Sequence, residues 1–125
     1  GEQSRDFVNV KDIVAANLLA LETDGGDYNA FNIGTGRATS IKKISELLAA
    51  GLGKDIAPIL VGKYREGDIR HCVADISKAR KMLGYEPKVT LEDGLAELLN
   101  WLAEQEAEDK VESATAELAE RSLVK

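Results

Sequence analysis

Short apolar runs suited to strands alternate along this chain with longer runs carrying helical periodicity, and that alternation is the feature that most constrains its fold. Phe7, Val8 and Val10 alternate within DFVNV, and Asp6–Val10 reads as a short strand. KDIVAANLLALE follows, with Ile13, Ala16, Leu18 and Leu21 near helical spacing, until TDGGD forces a turn. YNAFNIG reads as a second strand, GTGRATS as a loop, and IKKISELLAAGLG as a helix capped by Ser40 and stopped by Gly51 or Gly53. APILVG is a third apolar strand, and Ile69–Val73 a further extended piece. Asp75 caps a short helix, ISKARKML, that Gly84 ends. Leu91, Leu95, Leu98, Leu99 and Leu102 then fall on one stripe of a last clear helix. Alternation of this kind predicts an α/β arrangement. The strands are short and the helices hold most of the length, which fits a small mixed subdomain better than an independent doubly wound sheet.

Residues 1–103 therefore read as one folded unit and 104–125 as an Ala/Glu-rich helical tail, giving a long C-terminal helix or a helix pair. Val111, Ala114 and Leu118 form only a thin apolar stripe there. The chain opens without methionine and is already strand-like six residues in, as expected for a piece of a longer polypeptide. A formal net charge of −6 argues against a nucleic-acid partner, since neutralising phosphates takes a basic face. Ile13–Leu21 is the longest apolar-rich run and is too short to span a bilayer, and no basic leader precedes an apolar core. Cys72 is the only cysteine, so no internal disulfide forms, and a lone thiol fits the cytoplasm.

Against that acidic background KYREGDIRH, residues 63–71, is a basic island: Lys63, Arg65 and Arg70 with Glu66, Asp68 and the only histidine, His71. Guanidinium groups present a flat fork of donors that matches phosphate oxygens. Arg5 and Arg65, from separate segments, are candidates to clamp a diphosphate from both sides. Gly67 lets the backbone approach a ligand, and Asp68 can accept hydrogen bonds from sugar hydroxyls. The plain alternative is a solvated turn, because most charged loop residues do nothing specific.

Other chemistries fare worse. Gly34-Thr-Gly36 sits where a dinucleotide fingerprint would, but the third glycine position is Thr39 and no acidic residue ends a second strand about 20 residues on. No tyrosine is followed four positions later by lysine: Tyr28, Tyr64 and Tyr85 lead to Asn32, Asp68 and Val89. His71 and Cys72 are adjacent, so on a strand they face opposite ways, and neither a dyad nor a metal set follows from them. The chain thus offers no catalytic, cofactor-binding or metal-ligating residues of its own.

The motifs GEQSRDFVNVKDIVAANLLAL, FNIGTGRATSI, YREGDIRHCVADISKARKMLGYEP and LEDGLAELLNWL, in that order, resemble the C-terminal part of extended short-chain dehydrogenase/reductases of the nucleotide-sugar epimerase and dehydratase group. UDP-glucose 4-epimerases are the nearest type, and the resemblance covers residues 1 to about 102. It implies an appendage to a Rossmann domain that carries NAD and the catalytic tyrosine and is absent here. It implies that Arg5 and Arg65 hold the diphosphate of a nucleotide sugar, most readily a UDP-sugar, and that Asp68 contacts its ribose. Many relatives have histidine in place of Asn9 and some have an aromatic in place of Cys72, so neither the nucleotide nor the sugar is fixed. Such a part positions substrate and is silent alone. A second reading of the same residues is a self-associating module without ligand binding, in which the C-terminal helices make a homodimer.

Overall fold

The computed structural model describes residues 1–106 and 108–124. Among the described residues the fold is mixed α/β, with three two-residue strands in one small sheet and five α-helices. Strand β1, Ser4–Arg5, lies in the middle. It pairs antiparallel with β2, Thr39–Ser40, and parallel with β3, His71–Cys72. The register sets Ser4 against Ser40 and His71, and Arg5 against Thr39 and Cys72. Helices α1, Val10–Glu22, α2, Ile41–Gly51, α3, Ser77–Leu83, α4, Leu91–Leu102, and α5, Val111–Glu120, complete it. The C-terminal helical region is a pair, α4 and α5, with residue 107 between them outside the described residues.

Capping chemistry explains several boundaries. Ser40 Oγ accepts from Lys43 N and starts α2, as its position predicts. Thr90 Oγ1 accepts from Asp93 N and starts α4. Gly84 ends α3 in the left-handed region at φ 67°, open to glycine without strain. Asp75 does not occupy the N-cap of α3, which is Ile76; from one residue earlier its Oδ1 accepts from Ser77 N at 3.0 Å, and hydrogen bonds from the Ser77 hydroxyl and amide hold its carboxyl below the ordinary carboxylate range.

Three expectations need correction. The first strand is Ser4–Arg5, not Asp6–Val10, because Asn9 Oδ1 accepts from Lys11 N and turns Val10 into the first residue of α1. YNAFNIG forms no strand; Phe31 and Ile33 pack sideways onto the core. APILVG forms none either, since no neighbouring strand offers it a ladder: Ile59, Leu60 and Val61 are 87%, 55% and 67% exposed. The apolar face expected for α1 is also rotated. Asp12, Ala16 and Leu19 face inward, while Leu18 and Leu21 point to solvent.

The core is a small cluster of Ala16, Ile76, Ala79, Leu83 and Tyr85, flanked by Leu19, Phe31, Ile33 and Ala74. Burying a side chain such as Ile76 or Leu83 contributes about 1.5–3 kcal/mol each. Tyr85 is fully buried, and its hydroxyl donates to Gly34 O at 2.9 Å. Asp12 is 3% exposed; its two carboxylate oxygens accept from Lys88 N at 2.9 Å and Val89 N at 3.1 Å, tying α1 to the segment that enters α4. The leucine stripe of α4 packs against α2, where a side chain at Gly51 would meet the tip of Leu99 and require it to shift. Leu98 and Leu102 at its edge remain over 40% exposed. Among the described residues no helix is long and apolar enough to cross a membrane.

Candidate ligand site at the sheet edge

The site is built from three stretches that the sheet brings together. Arg5 ends the central strand, Cys72 ends the strand beside it, and the segment before Gly34 passes in front. Between them lies an open cleft of about 540 Å³, lined among others by Arg5, Phe31, Asn32 and Cys72.

Asp6 holds this cleft together. Its Oδ1 accepts from Thr35 N at 2.9 Å and Thr35 Oγ1 at 2.5 Å, and its Oδ2 from Gly36 N at 2.9 Å and Ala74 N at 3.3 Å. One carboxylate thereby joins β1, the glycine loop and the exit of β3. Burial pushes the Asp6 carboxyl up, but the bonds from the Thr35 hydroxyl and from the Thr35, Gly36 and Ala74 amides outweigh it and hold the group below its ordinary value. The same contacts decide whether Gly34-Thr-Gly36 cradles a dinucleotide phosphate. The Thr35 and Gly36 amides, which a phosphate would need, already point at Asp6. A Cβ at Gly34 would lie 2.5 Å from Asp6 Oδ2 and 2.8 Å from Ala74 Cβ, so this glycine makes room for protein and not for a ligand. The loop does not fit NAD.

Nearby, Tyr85 is held protonated to higher pH by burial first and then by the charges of Asp12 and Asp6. Its hydroxyl is spent on Gly34 O and is no candidate base.

Arg5 and Asp68, 63 residues apart, meet directly: Arg5 Nη2 donates to Asp68 Oδ1 at 2.7 Å. Arg5 Nη1 donates to Ser4 O at 2.8 Å and Arg70 O at 3.2 Å, so the guanidinium is braced by backbone on two sides. Asp68 belongs to a turn in which its amide donates to Arg65 O at 3.2 Å, with Gly67 at φ 79°. That positive φ is why the turn takes glycine. Arg65 therefore shares a four-residue turn with Asp68, but its side chain is exposed and, among the described residues, forms no ion pair. The Arg5–Asp68 pair leaves Lys63, Arg65 and Arg70 outnumbering Glu66 on the loop. His71 Nδ1 is hydrogen-bonded with Ser4 Oγ at 2.9 Å.

The three residues singled out by sequence are thus brought to one end of the sheet, Arg5 and Asp68 in contact and Arg65 one turn away. Sequence reasoning missed Asp6, Asp12 and Tyr85, which build the scaffold. Asp6 follows Arg5 directly but lies 29 residues from Thr35 in the sequence, so no local signal linked it to the glycine loop. Among the described residues the guanidinium groups of Arg5 and Arg65 are of the type that matches phosphate oxygens.

Comparison with known proteins places this geometry. Residues 1–98 match the family model described as GDP-mannose 4,6 dehydratase. The dTDP-L-rhamnose 4-epimerase of Burkholderia thailandensis is 36% identical over 105 residues, covering 84% of this chain and 29% of that protein. The crystal structure of UDP-glucose 4-epimerase from Thermotoga maritima with UDP-glucose superposes with a TM-score of 0.76 at 45% identity, covering 82% of this chain and 32% of that one. The UDP-glucose 4-epimerase of Bifidobacterium longum in complex with NAD+ and UDP gives 0.69 at 30% identity, covering 82% and 30%. The chain spans about a third of the length of the relatives it matches. With the fold and the motif order in agreement, the chain belongs to the GDP-mannose 4,6 dehydratase family of extended short-chain dehydrogenase/reductases, whose members similar to it include nucleotide-sugar epimerases.

Proposed function

We propose that residues 1–103 are the nucleotide-sugar-holding C-terminal part of an NAD-dependent epimerase or dehydratase, UDP-glucose 4-epimerase-like, working in the cytoplasm. In this reading the diphosphate of a UDP-sugar lies between Arg5 and Arg65, and Asp68 accepts from the ribose hydroxyls. NAD and the catalytic tyrosine belong to a Rossmann domain supplied outside this chain, which positions substrate and turns over nothing by itself.

The observation that carries the reading is the Arg5–Asp68 contact, which brings together two motifs 63 residues apart in sequence. The pair is a ready-made exchange site. A partly exposed ion pair of this kind is worth about 0–1 kcal/mol, so a phosphate oxygen displaces Asp68 from Arg5 at little cost. Asp68 is then free to accept from a sugar hydroxyl. Similarity to enzymes whose structures hold UDP-glucose or UDP supports the choice of ligand.

Calorimetric titration of the chain with UDP-glucose tests the assignment. Binding at millimolar strength, about −4 kcal/mol, that disappears in Arg65→Ala is the expected result. Equal heats from wild type and Arg65→Ala would overturn it. A second reading, self-association without ligand, is favoured by the exposed stripe Val10, Val14, Leu18 and Leu21 along α1. Sedimentation separates the two: a monomer that binds UDP-glucose excludes the second.

A further inference from the structure

We infer that the C-terminal tail is an intramolecular strap that fixes the loop carrying Arg65, so that the tail sets how well that loop receives an anion. The consequence for ligand rests on the reading of Arg65 given above; the strap itself does not.

Every residue from 59 to 70 is exposed, so packing does little to position this loop. Its far end is tied to the body through Ser4 N, which donates to Arg70 O at 3.0 Å, and through Arg5 and Asp68. The Arg65 end is held differently. Val124 pairs with Arg65 in an antiparallel bridge, and Glu66 N donates to Leu123 O at 3.0 Å. Among the described residues these are the backbone contacts that reach Arg65 and Glu66 from outside their own turn.

The tail is shaped to deliver that edge. Helix α5 ends with Arg121 N donating to Glu117 O and Ser122 N to Ala119 O, and Leu123 N then reaches back to Leu118 O at 2.9 Å. Ser122 takes φ 56°, a left-handed conformation unusual for serine, and it is this residue that reverses the chain and sends Leu123 and Val124 across to the loop. The family match ends at residue 98, so α5 and the strap lie beyond the part of the chain that it covers. An open hydrogen-bonding edge on the Arg65 turn is thereby closed by a segment added outside that region.

The test uses the full chain and two substitutions at one position. Ser122→Pro cannot adopt a positive φ and removes the amide that bonds Ala119, so it releases the strap. Ser122→Gly adopts the same backbone freely and keeps it. Amide hydrogen exchange, followed by NMR at Glu66 and Asp68, reads the loop directly, and unchanged resonances around Gly34 and Tyr85 report that the body stays folded. The expected result is protection at Glu66 in wild type and Ser122→Gly, with exchange faster by about tenfold or more at both amides in Ser122→Pro. UDP-glucose affinity then falls about tenfold in Ser122→Pro, as when a loop is competent roughly a tenth of the time. An unprotected Glu66 amide in wild type, or exchange unaffected by Ser122→Pro, overturns the strap. Lost protection with unchanged or tighter UDP-glucose binding overturns its influence on the site. If wild type binds no UDP-glucose, the functional reading fails, and the amides still decide the strap.

Discussion

Replacing Asp6 by asparagine removes the most connected side chain at the site without changing its shape. Oδ1 and Oδ2 of the carboxylate each accept two hydrogen bonds, from Thr35 on one side and from Gly36 and Ala74 on the other. Asparagine keeps one oxygen, which can continue to serve Thr35. Its amide nitrogen then faces the N–H groups of Gly36 and Ala74, donor against donor. Each stranded donor costs about 1–3 kcal/mol, towards the lower end here because the site is partly open to water, so the loss is about 2–4 kcal/mol. A domain of this size has roughly 5–15 kcal/mol in total, which makes that a large fraction. Urea unfolding with a slope of about 1–3 kcal/mol/M would show it as a midpoint lowered by about 1–3 M with the slope unchanged. The acid limb gives a second, independent sign. Because the folded carboxyl lies below its unfolded value, its contribution is present above about pH 4 and is lost as pH falls through the lower, folded value. The gap between wild type and Asp6→Asn therefore narrows on acidification. A loss under about 1 kcal/mol at pH 7, or a gap that widens in acid, would refute Asp6 as the joint of the three segments.

Tyr85→Phe keeps the buried ring and strands Gly34 O, so it costs about 1–2 kcal/mol in the same unfolding assay, whereas Tyr85→Ala empties the core and costs about 3–5 kcal/mol. Gly34→Ala forces a methyl against Asp6 and Ala74 and lowers stability by about 1–3 kcal/mol, visible as a lower melting temperature. Asp68→Asn weakens a half-exposed pair and moves stability by less than about 1 kcal/mol, which separates a ligand role from a structural one at this position.

Much of the architecture was legible because it rests on local chemistry. Ser40, Gly84 and the leucine spacing of α4 each announce a helix end or face, and each is found there. The strands were harder. YNAFNIG and APILVG have strand composition, but a strand exists only where a neighbour supplies a ladder, and pairing partners are not written in local sequence. The sheet formed instead from Ser4–Arg5, Thr39–Ser40 and His71–Cys72, none of them strongly apolar as a pair. Arg5 and Arg65 were legible as anion-binding types and Asp68 as an acceptor for hydroxyls, and the meeting of Arg5 with Asp68 depends on a parallel pairing between segments 67 residues apart. Asp6 and Asp12 escaped notice because a carboxylate in a sequence reads as surface. Only the fold reveals which backbone amides it collects. The turn of α1 that puts Leu18 outside follows from Asp12 being drawn inward to Lys88 and Val89, a contact no periodicity encodes.

The central claim is that Arg5 and Arg65 receive a diphosphate together, and side-chain NMR of arginine tests it most directly. The Nε–H resonances of the full chain would be followed while UDP-glucose is added, with uridine as the control that lacks phosphate. The account predicts that Arg5 and Arg65 shift together with UDP-glucose, along with the amides of residues 65–68, while residues of α4 and both arginines in uridine stay put. Shifts confined to other arginines, or the same shifts with uridine, would contradict it.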